Sequence, residues 1–247
     1  MQIKKGIMLS EVAFRNIPII LKNCGLDFFI VDNEHGGFDY SDLSGIIMTA
    51  RLVGIDCIIR LPDNTRRDIT KVMDMGASGI LIPMTDNAEQ IKFAVEYAKY
   101  APIGKRGIST MRAHTLYNPG SLSEYMMQAN ERTKIFAQIE SESGVENVDE
   151  ILAVNGVSGV LMGPNDLSCD LNVMQNPEPE ILPIIDTVAA AAKKRGKSSG
   201  IITGNNRYLK RAKLAGMDYF SVGSELNMLK DGDSEGACRV GLTRVQK

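Results

Sequence analysis

Eight short apolar runs, rich in Ile, Val and Leu and bounded by turn residues, punctuate the chain at 6–9, 28–32, 57–61, 79–83, 134–139, 158–163, 200–203 and 219–223. Continuous runs of this length read as strands buried on both faces. Between most of them apolar residues recur at helical spacing, most clearly over 67–75 (RDITKVMDM), 88–100 (AEQIKFAVEYAKY) and 181–195. Buried strands alternating with amphipathic helices predict a parallel sheet covered by helices. Eight repeats in 247 residues predict a closed (β/α)8 TIM barrel rather than an open sheet. The pattern is weakest at the first run, which is short, and over 101–133, where no strand is legible; long connections usually serve function or an interface. No linker or shift in composition divides the chain, so one barrel domain spanning 1–247 is expected.

Composition narrows the partners. Lys plus Arg is 28 and Asp plus Glu is 30, a net charge of −2. Such a chain offers no global field for nucleic acid or anionic lipid. No apolar run approaches the roughly 18–20 residues of a membrane helix, and MQIKKGIMLSEV has no signal-like cleavage site. Cys24, Cys57, Cys169 and Cys238 lie far apart without a CxxC pair. That argues against a zinc knuckle and for a reducing, cytoplasmic setting.

A barrel places its chemistry at the carboxyl ends of its strands. The segment FFIVDNEHGGFD, 28–39, carries a buried strand straight into Asp32, Glu34 and His35. The third run carries Arg60 (CIIRLP), the fifth ends in Gln138-Ile139-Glu140, and Gly163-Pro164-Asn165-Asp166 follows the sixth. Strand alternation turns Gln138 and Glu140 the same way, with Ile139 opposite. Glu140 and Asp166 therefore follow adjacent strands on one rim, a donor pair suited to a hard cation, which takes oxygen ligands. Blander readings stand beside these. Two carboxylates after strands can be coincidence, His35 can be a solvated loop residue, and His114 is the other histidine. Arg60 can be an interior charge paired with Asp32 or Glu34, and Arg106 a structural one. Asn165 and Asp166 can cap a helix; Asp63, Asp86, Glu142 and Glu146 read as solvated or capping, and the 13 methionines as core fillers.

On these residues the chain resembles the HpcH/HpaI family of class II, metal-dependent pyruvate aldolases. The matching segments are DFFIVDNEHGG (27–37), RLPDNTRRDITKVMDMGASGILIPM (60–84), KYAPIGKRGIS (99–109), AQIESESGVENVDEI (137–151) and GVSGVLMGPNDLS (156–168). They occur in the family's order across about residues 6–225. The resemblance implies a pyruvate-binding (β/α)8 barrel whose last helix is exchanged between subunits of a homohexamer, a dimer of trimers. It implies reversible cleavage of a 4-hydroxy-2-oxo acid to pyruvate and an aldehyde with a divalent ion, Mg2+, Mn2+ or Co2+. It puts the metal on Glu140 and Asp166 and catalysis on His35, Asp32 and Arg60. Substrate contacts fall on Arg60, Gln138 and the backbone of Gly163, Pro164 and Asn165.

The residue chemistry is compatible with that role. Retro-aldol cleavage needs a base for the C4 hydroxyl, and histidine exchanges protons near neutral pH; Asp32 is placed to fix the tautomer of His35. A metal-bound water is the competing base. Arg60 stabilises negative charge and does not act as a base. The family often has a tryptophan after its first strand begins; here Met8 occupies the place and the chain has no Trp. Asn165 replaces the usual Ala or Ser, and the segment from about Asp231 matches poorly. Met8, Ile202 and Thr203 are candidates for the aldehyde side, with Asp74 approaching from a neighbouring subunit. Two alternatives stay open: a decarboxylating or acyl-CoA-cleaving lyase on the same barrel, and a binding barrel without turnover.

Overall fold

The computed structural model describes residues 2–239, with side chains through residue 232. Eight parallel strands close in chain order: β1 Lys4–Leu9, β2 Phe28–Asp32, β3 Asp56–Arg60, β4 Gly79–Ile82, β5 Lys134–Ile139, β6 Gly159–Met162, β7 Ser198–Ile202 and β8 Tyr219–Ser224. The expected (β/α)8 barrel is thus the observed one. Around it run α1 Ile17–Asn23, α2 Tyr40–Val53, α3 Arg66–Met75, α4 Ala88–Ala98, α5 Leu122–Arg132, α6 Glu142–Glu146, α7 Val148–Ala153, α8 Pro164–Asp170, α9 Glu178–Lys194, α10 Asn206–Ala215 and α11 Glu225–Arg239. None of the described helices is long and apolar enough to cross a membrane.

Local chemistry sets the helix ends. Asn87 and Gln90 form a reciprocal capping box at the start of α4, which satisfies amides the first turn leaves without carbonyls. Gly54 and Gly76 close α2 and α3 at φ 70° and 100°, where a side chain would be strained. Two strands begin two residues before their apolar runs. Lys4 and Lys5 pair with Tyr219 and Phe220 of β8, and Ser198 and Ser199 pair with Gly159 and Val160 of β6. Backbone ladders extend through polar residues that hydropathy does not mark. The stretch 101–133 is not structureless: it holds a 3-10 turn at Ala113–Thr115 and the whole of α5.

The barrel interior is layered, and the layering positions the site. Phe28, Phe136 and Tyr219 fill the lower barrel, with ring centroids 5.2 Å (Phe28–Tyr219) and 5.0 Å (Phe136–Tyr219) apart. Gly6 makes room for them, since a Cβ there would lie 2.6 Å from the Phe28 ring. Ile30, Ile58, Leu81 and Leu161 complete the same inner cluster, with Met8 and Ile202 packed at its margin. Because side chains alternate along a strand, β2 steps up the interior as Phe28, Ile30, Asp32. On β5 the same step takes Phe136 to Gln138 and then to Glu140. The polar residues are therefore the lid of an apolar stack. The opposite faces of the strands, Phe29, Val31, Ile59 and Ile139 among them, pack under the helices in a single large core.

Candidate active site

At the carboxyl rim Asp32 and Arg60, direct register partners on β2 and β3, face each other in a closed fork. Arg60 Nε donates to Asp32 Oδ1 at 3.0 Å and Nη2 to Oδ2 at 2.6 Å. Arg60 Nη1 lies 3.2 Å from Glu34 Oε2. The amides of Glu34 and His35 also donate to Asp32 Oδ1, at 3.1 and 3.2 Å. Burial works to raise the Asp32 carboxyl, but the hydrogen bonds and charge of Arg60, helped by those amides, hold it below its usual value. Glu34 goes the other way: burial raises it against the pull of Arg60 and His35.

Glu140 follows β5 and is 2% exposed. Gln138 Nε2 donates to its Oε1 at 2.6 Å and the Met84 amide to its Oε2 at 3.2 Å. Gly163 is close beneath: a Cβ there would lie 2.3 Å from Glu140 Oε1, so a side chain after β6 would displace the Glu140 carboxylate. Burial pushes the Glu140 carboxyl up to about 7; the charges of Asp166 and Glu34 add to this, while the Met84 amide and Arg60 oppose it. Glu140 and Asp166 thus share one rim and repel. Gln138 Oε1 is buried with no hydrogen-bond partner. A buried carboxylate beside two others is short of positive charge, and the donors are all hard oxygens. This set fits a divalent cation such as Mg2+, Mn2+ or Co2+. Among the described residues no three His, Cys, Asp or Glu side chains gather as a metal group. An ion held by Glu140 and Asp166 would complete its shell from water or substrate, as Mg2+ commonly does.

Several sequence expectations change. Asp32 does not orient the His35 ring; both its oxygens are taken by Arg60. The His35 imidazole, 71% exposed, instead has its Nε2 3.7 Å from Glu34 Oε2. The Gly163 amide donates to Ile139 O at 3.1 Å and Pro164 has none, so neither offers an N–H to a ligand. Gly163 is the N-cap of α8, and Asn165 and Asp166 lie in its first turn, where amides lack intrahelical acceptors. Those two amides are the anion donors available there. Met8 and Ile202 edge the inner cluster, and the Thr203 amide bonds Ser221 O at 3.0 Å on the neighbouring strand. Asp74 pairs within the chain with Arg106 at 2.8 Å. His114 is buried, bonded to the Tyr125 hydroxyl at 2.5 Å and Ser109 O at 3.0 Å, which makes it structural. The divergent segment from Asp231 extends beyond the described residues.

Two contributors left no sequence signal. Met84 donates through its backbone and sits at φ 43°, an uncommon conformation for a methionine. Glu225, which opens α11, accepts the amides of Ser10, Glu11 and Val12 on Oε1 at 2.7, 2.7 and 3.1 Å. It ties down the loop that follows Met8. Glu225→Ala is expected to cost about 2–3 kcal/mol, visible as a lower urea midpoint; an unchanged midpoint would remove this clamp from the account.

The HpcH/HpaI aldolase/citrate lyase family model matches residues 16–230. The chain belongs to that family. A 5-keto-4-deoxy-D-glucarate aldolase of Klebsiella pneumoniae is 34% identical over 212 residues, covering 85% of this chain and 82% of the relative. A 2-keto-3-deoxy-L-rhamnonate aldolase of Salmonella gallinarum is 33% identical over 219 residues, covering 88% and 81%. The crystal structure of an HpcH/HpaI aldolase from Desulfitobacterium hafniense is similar with a TM-score of 0.92 at 29% identity, over 100% of this chain and 95% of that one. The resemblance carried by the sequence motifs therefore stands, and this HpcH/HpaI member is an enzyme of the aldolase type.

Proposed function

We propose that the enzyme reversibly cleaves a 4-hydroxy-2-oxo acid to pyruvate and an aldehyde, with a divalent ion held by Glu140 and Asp166. The observation that carries this reading is Glu140, buried at the barrel rim with its carboxyl at about 7 and facing further negative charge beside Arg60. A structural carboxylate is normally paired; this one is not. The ion, when bound, would supply positive charge that polarises the substrate's 2-oxo group. The chain's own residues supply the rest. The first-turn amides of Asn165 and Asp166 suit the substrate carboxylate. Arg60, its orientation locked by Asp32, meets the oxygen that becomes negative as the C3–C4 bond breaks. That electron pair passes to the pyruvate half, and a proton at C3 completes pyruvate. The C4 hydroxyl proton leaves to a base at the solvent side, where His35 is exposed and free to swing. Gln138 holds Glu140 in place. Met8 and Ile202, apolar and at the edge of the inner cluster, would flank the aldehyde.

A cytoplasmic homo-oligomer, a hexamer of two trimers with the last helix exchanged, belongs to the same proposal. Exposed Val222 on β8 and Leu226, Met228 and Leu229 on α11 support a covered surface there. Chelation tests the metal. EDTA should abolish pyruvate release from 4-hydroxy-2-oxo acids, and Mg2+, Mn2+ or Co2+ should restore it; full activity in chelator would refute the metal role. Assaying a panel of aldehydes with pyruvate and added metal then identifies the acceptor.

A further inference from the structure

We propose a second site in this enzyme, a cavity for a phosphate-type oxyanion at the end of the barrel away from the catalytic rim. The cavity holds about 180 Å³ and is lined by Arg51, Arg106, Arg132, Lys134, Ser78 and Asp56 among others. Asp56 and Lys134 are the first residues of β3 and β5, whereas Arg60 and Glu140 lie at the last residues or just beyond. The two sites therefore face opposite ends of the strands.

Charge in the cavity does not balance. Lys134 Nζ is 3.0 Å from Asp56, and Arg106 pairs with Asp74 at 2.8 Å. Arg51 and Arg132 find no carboxylate partner among the described residues. Burial, and then the charge of Arg132, hold Arg51 below the usual arginine value. Two guanidinium nitrogens, Arg51 Nε and Arg106 Nε, are buried with no hydrogen-bond partner. Arg106 as a whole is 5% exposed. A buried donor on a charged group is costly to leave unmade, so the pair marks a missing acceptor. Their orientation is built in. Arg106 stacks on Tyr100, 4.8 Å from the ring centroid. The stem of Arg51 passes over Gly76, where an added Cβ would lie 3.4 Å from Arg51 Cδ.

His114 offers no free ring nitrogen to the anion. Its Nδ1 faces the Tyr125 hydroxyl and its Nε2 the Ser109 carbonyl, and burial, with the charge of Arg106, lowers its pKa. The donors come from α2, α5 and the loop before the 3-10 turn, so they approach from several directions. A tetrahedral oxyanion offers acceptors on every side, whereas a planar carboxylate offers them in one plane. Phosphate, free or as a phosphomonoester, has the charge and shape for this cavity.

Isothermal titration of inorganic phosphate into EDTA-treated enzyme in chloride buffer of matched ionic strength tests the assignment, with glycerol phosphate as the phosphomonoester and malonate as the carboxylate. Phosphate should bind once per chain. Arg51→Gln and Arg132→Gln should each weaken it tenfold or more, and Arg60→Lys should leave it unchanged. The Arg132 variant alters an exposed side chain and keeps the test informative if the Arg51 variant does not fold. Glycerol phosphate binding as tightly as phosphate points to a metabolite's phosphoryl group, and failure of the ester to bind points to the free ion; both support the site. Absence of binding above the chloride control overturns the proposal. So do unchanged affinity in both cavity variants, loss confined to Arg60→Lys, and malonate binding as tightly as phosphate. None of these results depends on turnover, so the aldolase reading is judged separately.

Discussion

Arg60→Ala is expected to lower kcat by a hundredfold or more, because it removes the chain's own cation from the place where negative charge develops. The substitution also removes a structural partner. Asp32 and Glu34 would keep their buried carboxylates with no guanidinium between them, and breaking a buried pair from one side costs about 3–5 kcal/mol. Rate and fold must therefore be separated. Turnover is measured at a temperature where circular dichroism shows the variant folded and at saturating Mn2+. Arg60→Lys provides the contrast: it keeps the charge but loses the fork that engages both oxygens of Asp32. It should recover more stability than activity. A folded Arg60→Ala with kcat within threefold of wild type would reduce Arg60 to an interior ion pair.

The same pair shows where sequence reading reaches and where it stops. That β2 and β5 end in functional groups is legible from period two alone: Phe28, Ile30 and Asp32 share one side, as do Phe136, Gln138 and Glu140. The eight-run count points to the barrel because eight buried parallel strands alternating with helices close on themselves at this length. The partner of Asp32 is not legible. His35, three residues on, reads as half of a dyad, but register sets Arg60 directly opposite Asp32, and its bidentate guanidinium takes both oxygens of the buried carboxylate. Likewise the motif offers the Gly163 amide to a ligand, whereas in the fold Ile139 O accepts it. Met84 donates its own backbone amide and the Glu225 carboxylate accepts the amides of Ser10, Glu11 and Val12, contacts with backbone that no side-chain pattern encodes. The polar starts of β1 and β7 escape hydropathy for the same reason.

Glu140 is expected to make the metal-free enzyme less stable as pH rises from 5 to 8, and Glu140→Gln to remove that slope. The folded carboxyl titrates at about 7 against 4.5 for the ordinary group, so the fold holds the proton more tightly than the unfolded chain does. The stabilisation this gives is complete below about pH 4.5 and is lost as pH climbs through 7; it amounts to about 3 kcal/mol at most. Saturating Mn2+ should reverse the direction for wild type, because the ion needs the carboxylate and its apparent affinity falls about tenfold for each pH unit below 7. Glu140→Gln should show neither slope, and it should bind Mn2+ at least a hundredfold more weakly, since a neutral amide replaces one of two charged ligands. Melting temperatures of both proteins across this pH range, with EDTA and with Mn2+, give all four curves. Parallel EDTA curves would mean that Glu140 is not the uncompensated charge at this rim. If wild type and Glu140→Gln gained equally from Mn2+, the ion would be held elsewhere.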